Sequence, residues 1–178
     1  MKLIRFLTLK FGSLFYDIKY LEYLDSTRII QSFITQKIFR INSNVKFPCG
    51  WRVSIHHPQN IIFDSSDIMN FHRQGNHFCA KSSLYIGKGT IIGPYAALVT
   101  AKNLTYEENF EINIGKNCQI CLRSIILPGV VLGDYVIVAA GAIVTRSFGD
   151  YSIIGGNPAR LIRINEKLKE KIESEKIK

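Results

Sequence analysis

The chain has 178 residues, of which 47% are hydrophobic and 21% charged, a composition that indicates one globular domain with short additions and excludes a disordered protein. Its formal net charge is +9, and the lysines and arginines concentrate at the two ends. Because no nucleic-acid recognition motif appears, we expect small anions and a membrane surface, and no nucleic acid, among its partners.

The N-terminal segment, residues 1–43, mixes aromatic and aliphatic side chains with lysine and arginine. We predict a helical cap made of two helices that break near Asp25, with Ser26 or Thr27 capping the second. Two roles fit this segment. We favour a cover over the open first coil of a solenoid, since every solenoid needs capping. The alternative is that residues 1–40 lie on a membrane surface.

The start of the chain lacks a clean apolar core and a small-residue cleavage site, and no run of 18 apolar residues occurs. We therefore expect neither a signal peptide nor a spanning helix, which favours a cytoplasmic protein. Peripheral contact with the inner membrane stays open. Cys118 and Cys121 form a CxxC pair without the second pair of a zinc site, so we interpret the cysteines as structural thiols.

Residues 44–80 are predicted to form irregular early coils, in which Ile62 and Ile68 are in frame with Ile86. His72 and His77 are five residues apart, as in some metal-binding β-helix enzymes. A third histidine at a matching position is absent from the sequence. We therefore expect no metal site and favour ordinary surface or corner histidines.

The stretch from Ile114 to Val144 has a strict six-residue period. Branched aliphatics occupy every sixth position, and a small or β-branched residue follows four residues after each of the first five. The two rows are Ile114, Ile120, Ile126, Leu132, Val138 and Val144, and Cys118, Ser124, Val130, Val136 and Ala142. Neither a helix, with period 3.6, nor a flat strand, with period 2, accounts for this pattern.

Such a repeat is typical of a triangular coil in which each hexapeptide is one side and about eighteen residues make one turn. The aliphatic side chain then points into the prism and stacks on its equivalent in the next coil, as Ile114 on Leu132. We expect the small residue near the corner, where Gly115 and Gly133 permit the backbone to turn.

Upstream, the period continues in Ile86, Ile92 and Leu98 and is then interrupted. We predict a protruding loop at residues 100–112, and function commonly lies on such a loop because the coils give it a rigid base. Residues 164–178 are predicted to form a charged helix with a thin apolar stripe.

Three motifs follow one another: Ile-Leu-Pro-Gly-Val at 126–130, Ala-Ala-Gly-Ala-Ile-Val-Thr-Arg at 139–146 and Gly-Asn-Pro-Ala-Arg at 156–160. This ordered set resembles the hexapeptide-repeat acyltransferases, in particular the branch with maltose, colanic-acid and serine acetyltransferases. The resemblance implies an all-β fold, a left-handed parallel β-helix over residues 44–163, between an N-terminal helical segment and a short C-terminal helix. It also implies a homotrimer, with acetyl-CoA in the groove between neighbouring prisms and a sugar or nucleotide-sugar acceptor in polysaccharide biosynthesis.

By the same resemblance, the acetyl-CoA groove is lined by Leu122, Ala140, Thr145, Arg146 and Arg160. Small residues let backbone amides approach the pantetheine arm, and two arginines suit an anion. Arg160 matches the basic residue near the phosphates of the coenzyme. The alternatives are solvated surface charge for the two arginines and simple packing for Ala140.

The sequence departs from the family at the acceptor side. The family loop begins Thr-Ala-Asn-His-Asp, and its histidine is the general base. Here the text is Thr-Ala-Lys-Asn-Leu, so the catalytic position is Asn103, and asparagine cannot take a proton at neutral pH. Gln119 stands for the family's tryptophan, and Leu122 stands where a small residue usually follows.

Three hypotheses are therefore open. In the first, which we favour, the chain transfers acetyl groups to a hydroxyl with a base from elsewhere: Glu107, Glu108, Glu111 or His77. In the second, the acceptor is an amino sugar, whose neutral amine needs orientation rather than a histidine. In the third, the trimer is a catalytically inactive scaffold or binding protein.

Overall fold

The six-residue period winds the chain into a left-handed, three-sided parallel β-helix in the computed structural model, which describes residues 2–101 and 110–176. In chain order the strands are β1 (Ser54–His56), β2 (Ile61–Phe63), β3 (His77–Cys79), β4 (Leu84–Ile86), β5 (Ile91–Ile92), β6 (Ala97–Val99), β7 (Ile112–Ile114), β8 (Gln119–Ile120), β9 (Ile125–Ile126), β10 (Val131–Leu132), β11 (Ile137–Val138), β12 (Ile143–Val144), β13 (Ser152–Gly156) and β14 (Ala159–Ile164).

The strands form three sheets, one for each side of the prism. Sheet one has the order β1-β3-β6-β9-β12, sheet two β10-β7-β4-β2 and sheet three β14-β13-β11-β8-β5. All neighbours are parallel except β13 and β14, which form an antiparallel hairpin at the C-terminal end. We call the edge between sheets three and one the first corner, and the edge between sheets one and two the second corner.

The aliphatic row stacks as the period predicts. Ile114 is in register with Leu132, Ile120 with Val138, and Ile126 with Val144. All six residues of the row are buried. Removing such a side chain from water is worth roughly 1.5–3 kcal/mol, so the stacked row is the main stabilising feature of the prism.

The backbone turns at a position that the period does not reveal. The residue just before each small residue has a positive φ, between 54° and 79°. These residues are Asn117, Arg123, Gly129, Tyr135 and Gly141. The expectation that Gly115 and Gly133 permit the turn was wrong, because their φ is not positive. A Cβ on Gly115 would clash with the carbonyl group of Gly133 in the next coil, so these glycines allow close stacking.

The first coil is longer than the eighteen residues of a regular coil. Phe63 is in register with Ile86, 23 residues later, so the sixfold frame does not extend to Ile62. Ile62 pairs with Tyr85 and is 50% exposed, against our prediction that it is in frame. The extra length comes from a 3-10 helix, Ser65–His72, that stands where the coil's third strand would be.

Buried amides complete the early coils where strand pairing is missing. The Asn70 Oδ1 atom accepts a hydrogen bond from the Ile92 amide at 2.9 Å, and its Nδ2 donates to the Thr90 carbonyl at 2.7 Å. Asn76 accepts similarly from the Ala96 amide. Since an unpaired buried amide is costly, these side chains substitute for the missing strand.

The interruption adds ten residues to one coil without disturbing the stacking. Ile86 is in register with Ile114 and Leu98 with Ile126, each 28 residues apart, against 18 for Ile114 and Leu132. Part of the loop predicted at 100–112, residues 102–109, lies outside the described residues.

Three α-helices precede the prism: α1 (Lys2–Gly12), α2 (Ile18–Leu21) and α3 (Ser26–Phe33), which continues as a π-helical turn, Ile34–Ile38. The predicted two helices are thus three. Asp25 caps α3, rather than Ser26 or Thr27, because its extended backbone lets the carboxylate accept the Arg28 amide at 2.8 Å.

The helices contact the first coil through buried residues. Ser32 donates to the Cys49 carbonyl at 3.3 Å, and the Gln36 amide donates to the Phe47 carbonyl at 3.1 Å. The Tyr20 and Phe63 rings stack with centroids 5.8 Å apart. At the other end of the chain, α4 spans Glu166–Lys176. No helix in the described ranges 2–101 and 110–176 is long and apolar enough to cross a membrane.

Candidate functional site

Two of the expected acetyl-CoA residues lie at the first corner. Leu122 and Ala140 occupy equivalent places in consecutive coils, and the Leu122 carbonyl accepts a hydrogen bond from the Gly141 amide at 2.9 Å. Leu122 is 43% exposed and Ala140 is exposed. The adjacent Arg123 places its guanidinium 5.9 Å from the centroid of the ring of Tyr95, which belongs to the preceding coil. The corner thus combines a short side chain, a leucine and a cation over an aromatic ring.

Two more expected residues lie at the second corner. Thr145 and Arg146 follow β12 and are exposed. The Arg146 guanidinium lies 5.4 Å from the centroid of the Phe148 ring, and the Ser147 hydroxyl accepts from the Val131 amide at 2.9 Å. This contact with the ring holds the guanidinium near the end of the prism while leaving its N–H groups accessible.

The fifth residue, Arg160, lies in the C-terminal hairpin. It is exposed on β14 and pairs with Gly155 of β13. Its guanidinium donates to the Ala159 carbonyl at 3.1 Å. In the part of the chain that the structure describes, no carboxylate lies within ion-pair distance of Arg146 or Arg160. Both cations are therefore available to an anionic ligand.

The five residues consequently occupy three places on one chain. Leu122 and Ala140 are separated from Thr145 and Arg146 by the width of sheet one, and Arg160 stands on the terminal hairpin. On one chain these residues therefore lie along both edges of sheet one and on the hairpin rather than at a single corner.

The expected catalytic position, Asn103, lies outside the described residues, as do Glu107 and Glu108. The start of the loop is held by hydrogen bonds to the preceding coil. The buried Thr100 hydroxyl accepts from the Ser82 amide at 2.8 Å, and the Thr100 amide donates to the Cys79 carbonyl at 2.9 Å. Glu111 is exposed next to β7.

The substituted positions Gln119 and Leu122 are not at the corner from which the loop departs. Gln119 is exposed on the outer face of sheet three, and Leu122 follows at the first corner. The loop leaves at Thr100, on the second corner. Gln119 and Leu122 therefore lie away from the corner at which Thr100 ends sheet one, while Asn103 is outside the described residues.

A histidine pair lies on the outer face of sheet one. The rings of His56 and His77 are 5.4 Å apart between centroids, and the Ser54 hydroxyl is 3.0 Å from the His56 Nε2 atom. Burial and the neighbouring His56 lower the pKa of His77. A depressed pKa keeps an imidazole neutral near pH 7, the form that accepts a proton.

The histidine pair lies on the sheet whose strand β6 leads directly into the loop. His56 is in register with Cys79, and Cys79 with Val99, the residue directly before Thr100. His56 thus lies in the row of sheet one that leads to the loop. The sequence offers His77 as a candidate base but not His56. The first coil is 23 residues long, which is not a multiple of six, so its register is not visible in the period.

His72 is separate from the histidine pair. It ends the 3-10 helix beside a cavity of about 440 Å³ that is also lined by Arg28 and Arg52. Burial, with a smaller effect of Arg28, lowers the pKa of His72 to about 4. Among the described residues no group of three His, Cys, Asp or Glu side chains could hold a metal ion.

Comparison with known proteins agrees with the repeat. Residues 111–146 match the bacterial transferase hexapeptide family, with six repeats. YvoF of Bacillus subtilis, designated an acetyltransferase, is 34% identical over 89 residues, which are 49% of this chain and 52% of that protein. Galactoside O-acetyltransferase of Escherichia coli is 33% identical over 91 residues, 46% of this chain and 45% of that protein. The chain therefore spans about half the length of these curated relatives.

A solved structure shares the fold. A galactoside acetyltransferase in complex with coenzyme A superimposes with a TM-score of 0.50 and 25% identity, covering 66% of each chain. The six-residue repeat, the left-handed coil and these similarities identify the chain as a hexapeptide-repeat β-helix protein that is similar to acetyltransferases over about half of its length.

Proposed function

We propose that the chain is an acetyltransferase that takes acetyl-CoA as acyl donor and a sugar or nucleotide-sugar as acceptor, with O-acetyl transfer as the favoured reaction. The observation that carries this proposal is the pair of exposed arginines, Arg146 and Arg160, without carboxylate partners among the described residues, at the same end of a regular prism. Coenzyme A carries several phosphate charges, and guanidinium groups bind phosphate oxygens in pairs. The galactoside acetyltransferase with this fold was solved with coenzyme A.

The donor site is proposed to form between chains of a homotrimer. Leu122 and Ala140 lie at one corner, and Thr145 and Arg146 at the other. A neighbouring prism that places its second corner beside the first corner of the next would bring all four to one groove. The outer face of sheet one offers a flat apolar surface for such packing, with half-buried Ile125 and Ile143 in register.

For transfer to a hydroxyl, the step needs a base. The acceptor oxygen attacks the thioester carbonyl carbon and its proton passes to a neutral imidazole. The C–S bond then breaks, and the departing thiolate of coenzyme A takes the proton from the imidazolium. His77, with the adjacent His56, supplies that imidazole in our proposal, since Asn103 cannot accept the proton. The depressed pKa of His77 supports this role.

N-transfer is the second candidate. A curated relative, the dTDP-3-amino-3,6-dideoxy-α-D-galactopyranose 3-N-acetyltransferase of Aneurinibacillus thermoaerophilus, is 42% identical over 48 residues, 27% of this chain and 25% of that protein. A neutral amine attacks without prior deprotonation, so asparagine at position 103 is compatible with this reaction.

An inactive scaffold is the third hypothesis. We place the activity in the cytoplasm, in polysaccharide biosynthesis.

The test is calorimetric titration with acetyl-CoA, followed by transfer assays with hydroxyl sugars and amino sugars. Micromolar to millimolar binding with acetylated product supports an enzyme, and the preferred acceptor separates O- from N-transfer. If acetyl-CoA at millimolar concentration gives no heat of binding, both enzyme hypotheses are contradicted and the scaffold hypothesis remains. Sedimentation equilibrium of the same sample tests the trimer.

A further inference from the structure

The helices at the N-terminal end expose an unusual amount of apolar surface. Soluble proteins expose single apolar residues routinely, but a large contiguous patch marks a contact surface. Leu14 is 75% exposed and Leu3 69%. Large apolar side chains of the same region are also exposed: Ile4, Phe6, Leu7, Phe11, Phe15, Ile18, Ile30, Ile34, Ile38 and Phe39.

Six of these residues form two stripes on neighbouring helices. Leu3, Leu7 and Phe11 follow one another at four-residue spacing on α1, and Ile30, Ile34 and Ile38 do so along α3 and its π-helical continuation. Residues at this spacing share one helix face. We call these six residues the outer helical face.

The two stripes border one groove. A cavity of about 430 Å³ lies between α1 and α3, lined by Leu7, Thr8, Phe11, Ile30, Phe33 and Ile34. The Phe11 and Phe33 rings meet edge to face with centroids 4.8 Å apart and form its floor. The groove between the two helices is thus open and lined almost entirely by apolar side chains.

This face is not the one that covers the prism. The first coil is contacted by the other side of α3 and its continuation, through Ser32 and Gln36, and Ile29 is fully buried. The N-terminal segment therefore has two apolar sides. One packs on the coil, and the second stays exposed after that packing is complete.

The charges around the outer helical face are mostly positive. Residues 1–43 contain seven lysines and arginines against three acidic residues, and no acidic residue occurs between Asp25 and Asp64. Two of the three acids are already paired, Asp17 with Lys19 at 3.6 Å and Asp25 with Arg28. Exposed cations remain at Lys10, Lys37 and Arg40.

We propose that the outer helical face docks on an anionic lipid bilayer, with Leu3, Leu7 and Ile34 among the acyl chains and Lys10 and Lys37 at the phosphate level. An apolar helix face flanked by cations binds such a surface in this way. The lysine stems cover apolar surface while their ammonium groups reach the headgroups. A second copy of the chain is a poorer occupant, because two such faces would bring like charges together. This docking does not depend on acetyl transfer.

The test is cosedimentation of the full chain with vesicles of phosphatidylglycerol and phosphatidylcholine, compared with phosphatidylcholine alone. We expect binding to the anionic vesicles at least about tenfold tighter, and weaker binding as salt rises. The double variant Leu7→Gln, Ile34→Gln should lose most of this binding. The matched control is Ile62→Gln, Ile91→Gln, which changes two prism residues that are 50% and 49% exposed; it should bind like the parent.

Three results would overturn the proposal: equal binding to both vesicle types, unchanged binding of the Leu7→Gln, Ile34→Gln variant, or equal loss in the control. Analytical ultracentrifugation of the same proteins tests whether a second copy of the chain binds this face instead. If the parent does not bind vesicles and forms a larger oligomer than the Leu7→Gln, Ile34→Gln variant does, the face is a contact between copies and the proposal is wrong. Circular dichroism melts of both variants establish that each is folded.

Discussion

Ile120 lies in direct register with Val138 of the next coil, and both side chains are buried in the prism. Truncating Ile120 to alanine leaves a cavity between coils that cannot collapse easily, since each coil is fixed by its neighbours. We expect Ile120→Ala to lower the free energy of unfolding by about 2–5 kcal/mol, and Ile120→Val by about 0.5–1.5 kcal/mol. Denaturant unfolding measures both. Gln119→Ala, one residue earlier on the outer face, is the control and should change little; equal effects at both positions would contradict the inward orientation.

Gly115 and Gly149 should respond differently to the same substitution. A Cβ at Gly115 would clash with backbone atoms of Gly133, whereas a Cβ at Gly149 meets nothing within 4 Å. Gly115→Ala should therefore cost about 1–3 kcal/mol or more, as overpacking does, while Gly149→Ala should be neutral or slightly stabilising. Thermal melts of the two variants check this. If Gly115→Ala leaves the stability unchanged, the contact between Gly115 and Gly133 does not limit the spacing of the two coils.

His72 should make stability depend on pH. Burial lowers its pKa to about 4 in the folded chain, against about 6.5 in the unfolded chain. Because the folded pKa is the lower one, the stabilisation is present above pH 6.5 and is lost as the pH falls from 6.5 towards 4. The loss is on the order of 3 kcal/mol over that interval.

Unfolding free energies at pH 7 and pH 4.5 measure this loss. The His72→Gln variant keeps a neutral polar group and should show a clearly smaller decrease between the two pH values than the parent. The same decrease in both proteins would assign the pH dependence to other groups.

The two unpaired arginines should control donor affinity. Replacing Arg146 or Arg160 with glutamine removes a charge-assisted contact to phosphate, so we expect acetyl-CoA to bind about tenfold or more weakly in each variant. Lys116→Gln, an exposed cation on the corner between sheets two and three, is the matched control. Calorimetric titration measures the dissociation constants. If Lys116→Gln weakens binding as much as the arginine variants, the effect is long-range charge rather than contact.

The base for O-transfer gives the last prediction. His77→Gln should reduce acetyl transfer to hydroxyl sugars by about 10²–10⁴-fold while leaving the affinity for acetyl-CoA unchanged. Transfer to an amino sugar should be much less affected. Asn103→His should raise O-acetyl transfer if the acceptor pocket is intact. An unchanged rate in His77→Gln would remove His77 as the base, and the pH–rate profile of the parent would then have to be assigned elsewhere.

The period of six predicted the stacking partners of Ile114 and Ile120 because a regular coil repeats its own length. It did not predict the partner of Ile62, since the 3-10 helix at Ser65–His72 changes the length of the first coil. It also missed the left-handed turn positions. Tyr135 and Arg123 have positive φ values, and neither residue type signals this conformation.

In the candidate site, the separation of eighteen residues between Leu122 and Ala140 predicts that they occupy equivalent positions in consecutive coils. Their distance from Thr145 follows only once the corners are known. The His56–His77 pair depended on a register that local packing sets, and it could not be read from spacing. The two apolar sides of the first segment are visible only in three dimensions, because Ile29 and Ile30 are adjacent in sequence but one is buried and the other exposed.

The interruption of the third coil lies between two backbone hydrogen bonds to the preceding coil. Thr100 and Ile112, at the two ends of the excursion, donate their amides to Cys79 and Ser83 of the preceding coil, at 2.9 and 3.1 Å. The prism therefore closes beneath the excursion as if nothing were inserted. We therefore expect the coils to tolerate changes of sequence or length between Thr100 and Ile112, because the hydrogen bonds of these two anchors close the prism on their own.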